Sequence, residues 1–327
     1  MDNKLTKSRL SNLIAYDWIA MMITIVIAIV VLEIVFNASA ARLTVGQQFN
    51  YYYDETIFSG NDKAFNEFIV EKKTFSYDVI NVAGEGLTDE YNTLPLRISV
   101  HAADILITEV TESVNNNQVF RRSDAHIDSH SISSIEKLVN NARAYVTPFI
   151  TDASNLSAPT LNEQAIEENF NKRMARDNRY RFNDEARAEG FKLEKERIIK
   201  LCKDIADLEY LLERDKSLPE NQKLFYSYKR YTQMYNASVD NPTEKQRYEQ
   251  LLANEKVERY GLRVDRLITN KNKKNPSDFF RKVSLGSAQD VVILAFDFTK
   301  QQPDLQYETL SFITMVVREF GTELDNR

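Results

Sequence analysis

Trp18 to Phe36 reads WIAMMITIVIAIVVLEIVF, an apolar run of 19 residues interrupted only by Thr24 and Glu33. A helix over this run rises about 28 Å, close to the hydrocarbon thickness of a bilayer. It offers no polar face, so it cannot lie on the surface of a water-soluble domain. The run predicts a transmembrane helix at residues 18–36. Asp17 and Trp18 mark one interface, and Glu33 lies within a turn of the other. Lys4, Lys7 and Arg9 precede the span, whereas Arg42 alone follows it closely. The positive-inside rule therefore predicts a cytoplasmic tail at residues 1–17, with the rest of the chain extracellular. Ala38, Ser39 and Ala40 have the small-x-small spacing read by signal peptidase, which makes cleavage after Ala40 the alternative. The apolar run is long for a signal peptide, and that favours an uncleaved anchor.

Composition removes several classes of function. Hydrophobic residues make up 43% of the chain and aromatics 11%, enough to build cores. Lys and Arg number 42 against 48 Asp and Glu, so no net charge attracts a nucleic acid. Cys202 is the one cysteine, which excludes a disulfide framework, a multi-cysteine metal site and a lipidated cysteine after the apolar run. An exported chain with one thiol fits a bacterial surface better than a disulfide-rich ectodomain.

Residues 37–155 read as the first part of an α/β lobe. Phe49–Tyr53 is strand-like, and Phe65, Phe68 and Ile69 have helical spacing between Asp62 and Lys72. A second strand is expected over Phe75–Val82, stopping at turn residues Gly84 and Gly86. A helix-like stretch from Asp89 to Ala102 precedes Asp104–Thr108, an apolar run suited to a strand buried on both faces. This alternation predicts βαβ units with a parallel sheet. Residues 156–260 read as a charged α-helical insertion. Phe191, Ile198, Leu201, Ile205, Leu208 and Leu212 form a seam at heptad spacing that ends by Pro219, and antiparallel helix packing is expected of it. Leu224, Tyr228, Tyr231 and Tyr235 suggest a second helical stripe. A third helix is expected from Asn241, Pro242 and Glu244, which serve as N-cap, N1 and N3, to Gly261. Residues 261–327 return to α/β character. Asp290–Phe296 reads as a strand, and a helix opening near Pro303 carries Leu310, Ile313, Val317 and Phe320 on one face. The lobe is thus expected to be built from both ends of the ectodomain.

This order of elements resembles the extracellular solute-binding proteins of ABC importers. Phe49–Tyr53, Phe75–Val82 and Asp104–Thr108 occupy the places of that family's first three strands. The C-terminal strand, the turn at Thr299 and Lys300, and the helix with Tyr307, Leu310, Ser311, Phe312 and Ile313 are similar to its ending. With the entry region around Arg9 and the interface at Tyr16, Asp17 and Trp18, the chain looks like an uncharacterised membrane-anchored set of such proteins in Gram-positive bacteria. The resemblance implies capture or sensing of a solute, a carbohydrate among others, and an ABC importer permease as partner. Charged helices stand where that family has a second α/β lobe. The alternative is therefore a ligand-free scaffold that docks a membrane partner through its helical region.

Open α/β sheets bind ligands beyond the carboxyl ends of their strands. On that rule the candidate ligand-binding residues are Tyr53, Asp54, Thr108 and Glu109. The cluster Lys172, Arg173, Arg176, Arg179 and Arg181 is a candidate membrane or partner contact, chiefly through Arg173, Arg176 and Arg179. His126 and His130 have the i, i+4 spacing of a zinc pair but lack the general-base glutamate of a metalloprotease, and they are read as part of a polar loop. There is no nucleophile elbow and no Gly-rich phosphate loop. The expectation is a non-enzyme with no catalytic residues, no metal and no cofactor.

Overall fold

The computed structural model describes residues 18–40, 48–54, 62–75, 79, 81–87, 94–100, 102–109, 132–175, 180, 183–228, 240–253, 257–268, 291–296, 307–325 and 327. The chain divides into two compact units, Met1–Thr44 and Val45–Arg327. The first contains helix α1, Trp18–Ala40, which is 23 residues long. Its side chains are described at Trp18 and from Met22 to Leu32, and the large apolar ones are exposed. The stretch of α1 whose side chains are described without a break, Met22 to Leu32, is by itself too short to cross a membrane, and no other described helix is long and apolar enough to do so.

The second unit is mixed α/β. Its elements are β1 (Gln48–Asp54), α2 (Asp62–Glu71), β2 (Asn81–Leu87), α3 (Leu94–Ser99), β3 (Ile105–Glu109), β4 (Ile132–Ser133) and α4 (Ile135–Val146). These are followed by α5 (Glu163–Met174), α6 (Asp184–Ser217), β5 (Phe225–Tyr228), α7 (Pro242–Leu252), β6 (Glu258–Arg263), β7 (Val291–Phe296) and α8 (Tyr307–Phe320). Strand order is β2-β1-β3-β7-β6-β5, with β4 also paired to β7. The β1–β2 and β1–β3 pairs are parallel, as the βαβ reading requires. Every pair beyond β3 is antiparallel, so the sheet is mixed rather than parallel. Ile105 pairs with Ala295 and Ile107 with Ile293, which joins the two ends of the second unit in one sheet.

Alternation along the central strands defines two cores. Phe49, Tyr51 and Tyr53 of β1, Ile105 and Ile107 of β3, and Val291, Ile293 and Ala295 of β7 pack with apolar residues of α2, α4, α6 and α8. Tyr52, Leu106, Val292, Leu294 and Phe296 face the opposite way, against Leu94 and Ile98 of α3. All six residues of β7 are buried, consistent with its unbroken apolar sequence.

Four expectations need correction. Gly84 and Gly86 lie within β2, opposite Tyr51 and Tyr53, not in a turn. A Cβ on Gly84 would come within 2.3 Å of the Tyr51 ring, so the glycine makes room for a buried aromatic on the neighbouring strand. Leu224 and Tyr228 do not belong to a helix, since Phe225–Tyr228 is strand β5; Tyr231 and Tyr235 lie outside the described residues. α7 begins as expected, with the Asn241 side chain accepting from the Glu244 N–H, but ends at Leu252. Gly261 sits in β6, where a Cβ would strike Val292 and Leu294 of β7. Finally, the region 156–260 contributes β5 and the start of β6 to the sheet. It therefore belongs to the same compact unit as the strands.

The seam of α6 is buried at Ile198, Leu201, Ile205, Leu208 and Leu212. It packs on α4 and α8 as well as on α5. A second stripe on the same helix runs through Glu194, Arg197, Leu201, Asp204, Leu208, Leu211 and Asp215, and all seven are buried.

Candidate functional site

β1 leads through α2 to β2 on one side, and the chain then crosses back to place β3 on the other side of β1. The strand order thus reverses between β1 and β3, which in an open α/β sheet leaves a crevice at their carboxyl ends. Tyr53 pairs with Ile107, so one step further the register brings Asp54 beside Thr108. Leu87 stands opposite Asp54 on β2, and Val292 opposite Thr108 on β7. An acid and a hydroxyl are therefore set between two apolar neighbours in one row across four strands. Asp54 is 0% exposed and Thr108 1%. The Thr108 hydroxyl has no hydrogen-bond partner, an unfavourable state for a buried polar group in a structural layer.

Tyr53 does not join them. Its side chain belongs to the other face, where its ring lies 6.0 Å from that of Tyr51 within the main core. Glu109 holds the register position opposite Val291, and its side chain lies outside the described residues. Of the four ligand candidates, two come together. On the same face Tyr52 is pushed up to about 12 by burial and by the neighbouring Glu85, which also lies 3.7 Å from Arg97.

Arg173 has a structural partner. It ends α5, 2.5 Å from the fully buried Glu194 of α6. Glu194 also accepts from Arg197, whose guanidinium donates to the Tyr145 hydroxyl of α4 at 2.6 Å. Burial works against the Arg197 charge, but Glu194 and Tyr145 outweigh it and raise its pKa. Arg176, Arg179, His126 and His130 lie outside the described residues. Among the described residues no group of three His, Cys, Asp or Glu side chains could hold a metal ion.

Sequence reasoning missed two charged groups. Asp204 accepts from Ser311 of α8 at 2.7 Å and pairs with Arg318 at 2.6 Å, and Asp207 pairs with Arg318 and Arg327. Their signal is spacing: the steps of three and four along α6 pass through charged residues as regularly as through apolar ones. The other group is Asp104, just before β3, whose carboxylate accepts from the Asn50 N–H at 2.7 Å. Burial pushes it up to about 7, against the pull of that N–H, with Glu308 adding to the rise. Asp104 lies at the amino end of β3, away from Asp54 and Thr108, and no spacing rule singles it out.

The fold and site define an α/β protein with a polar pair at its topological switch point. No protein family, curated protein or solved structure matches the chain.

Proposed function

We propose that the chain is a single-pass membrane-anchored, extracellular α/β protein that captures or senses a small polar solute at the carboxyl ends of β1 and β3. Residues 18–36 serve as its membrane span, with residues 1–17 in the cytoplasm, and an ABC importer is the system it serves. One observation carries this reading: Asp54 and the unpartnered Thr108 hydroxyl stand together, fully buried, where the sheet reverses direction. A ligand hydroxyl or amine would donate to Asp54 and satisfy Thr108, removing the penalty of the unpaired group. The parallel order β2-β1-β3, followed by an antiparallel strand from the far end of the chain, supports the likeness to one lobe of a solute-binding protein.

The test is thermal unfolding of the full chain in detergent against sugars, oligosaccharides and amino acids. A ligand at 100 times its Kd adds about 2.7 kcal/mol of stability. The shift should disappear in Asp54→Asn and Thr108→Val. A ligand whose shift survives both substitutions would place its site elsewhere and defeat the proposal.

Partner docking through the helical region is the second reading, and α7 favours it, since none of its residues is buried. Photocrosslinkers on α7 that recover only the free chain from intact membranes would count against it.

A further inference from the structure

β2 ends the sheet on one side: it pairs with β1 over all seven of its residues, and no described strand lies against its outer edge. Edge strands are commonly blunted by proline, lysine or a bulge. β2 reads NVAGEGL, with Glu85 as its one charge and two glycines that present no side chain. Its residues from Val82 to Gly86 are half-buried.

Beside this strand lies a groove of about 670 Å³, lined by α2, the turn that follows it and the start of β2. Ile69, Val70, Phe75, Val79 and Val82 give it an apolar lining, and Val70 is 64% exposed. Its polar lining is acidic on balance, with Glu67 and Glu71 against Lys73. Asn66 contributes a buried side-chain oxygen that has no hydrogen-bond partner. A strand edge with no described strand against it, next to an apolar groove, is an arrangement by which sheets take up extended peptides: the main chain supplies hydrogen bonds, and alternate side chains enter the pocket.

We propose that the outer edge of β2 receives an extended polypeptide segment of a partner protein as an added strand. An apolar side chain of that segment fills the groove. A basic side chain next to it meets Glu67 and Glu71, and an N–H donor satisfies Asn66. This surface is separate from the Asp54–Thr108 pair, and the inference does not depend on that site.

The test uses the full chain in detergent as bait for a displayed library of random ten-residue peptides. The enriched peptides should carry Lys or Arg next to Leu, Val or Phe. In a synthetic copy of one such peptide, N-methylation at alternate residues should weaken binding at least about tenfold in one set and little in the other, because one set faces β2 and loses hydrogen bonds. Val82→Pro should abolish binding. Glu71→Lys, at an exposed position that leaves folding intact, should remove the preference for basic peptides. The proposal is overturned if no peptide is enriched, or if the enriched peptides bind both variants as they bind the native chain. It is equally overturned if the chain forms a dimer that Val82→Pro dissociates, since a second copy would then occupy the edge.

Discussion

If Thr108 is held for a ligand, replacing it should help the empty protein and harm the loaded one. Thr108→Val keeps the branched shape and removes only the hydroxyl, which is buried and without a partner. An unsatisfied buried hydroxyl costs about 1–3 kcal/mol. Val292, its apolar neighbour on β7, accommodates a methyl group in its place. The ligand-free variant should therefore be more stable by about 1 kcal/mol, a rise in Tm of roughly 2 °C for a body of this size. Thr108→Ser is the control. It keeps the hydroxyl and loses a methyl group, so it should fall by about 0.8 kcal/mol. Calorimetry of the three proteins with no ligand added decides the matter. A Thr108→Val protein less stable than the native one by 1 kcal/mol or more would refute the reasoning, because the hydroxyl would then be satisfied in solution.

Arg318→Met should destabilise the protein by about 1–3 kcal/mol in urea titration, since it removes the cation that Asp204 and Asp207 share and leaves them Lys200 and Arg327 respectively. Lys73 has φ 49° and closes α2 in a left-handed turn, with the Thr74 N–H reaching the Ile69 carbonyl. Lys73→Gly should accordingly raise the urea midpoint by an amount equivalent to about 0.5–1 kcal/mol. Asp104 titrates at about 7 in the fold against an ordinary 3.8, so the folded state binds the extra proton. Its contribution to stability is full below the ordinary value and is lost as the pH rises through about 7. Asp104→Asn should flatten that part of the stability–pH profile, and an unchanged profile would show that Asp104 does not titrate there.

Legibility in the sequence followed how local the controlling physics was. β3 and β7 were readable because a strand buried on both faces must be apolar throughout, and that leaves an unbroken run. The start of α7 was readable because a cap depends on a residue three positions away. β2 was misplaced because Gly84 and Gly86 look like turn residues until Tyr51 and Tyr53 are known to lie opposite them, more than 30 residues earlier. The same blindness affected Gly261, which is shaped by Val292 and Leu294. β5 was hidden for a different reason. Its start is held by Asp215, whose carboxylate accepts from the Leu224 and Phe225 N–H groups. That contact is tertiary, and the local tyrosine spacing pointed to a helix instead. For the candidate site, the rule for open sheets reached Asp54 and Thr108. It erred on Tyr53 because adjacent residues on a strand face opposite ways.

The charged stripe of α6 explains why the helical region is bound to the sheet rather than appended to it. An apolar seam at heptad spacing tolerates a slide of seven residues, since Ile205 and Leu208 would be replaced by Ile198 and Leu201. The charges forbid it. Such a slide would bring Arg197 to the place where Asp204 meets Arg318, setting two cations together in a buried site. It would also carry Asp215 away from the β5 N–H groups it accepts from. Glu194, Asp204 and Asp215 each have a different partner, on α5, α8 and β5 respectively, so one register alone satisfies all three. Buried ion pairs add little net stability, and their value here lies in selecting that register. The same selection ties the helices to the sheet, because α6 holds both β5, at the far edge of the sheet, and α8, whose Phe312 stacks on Phe49 of β1.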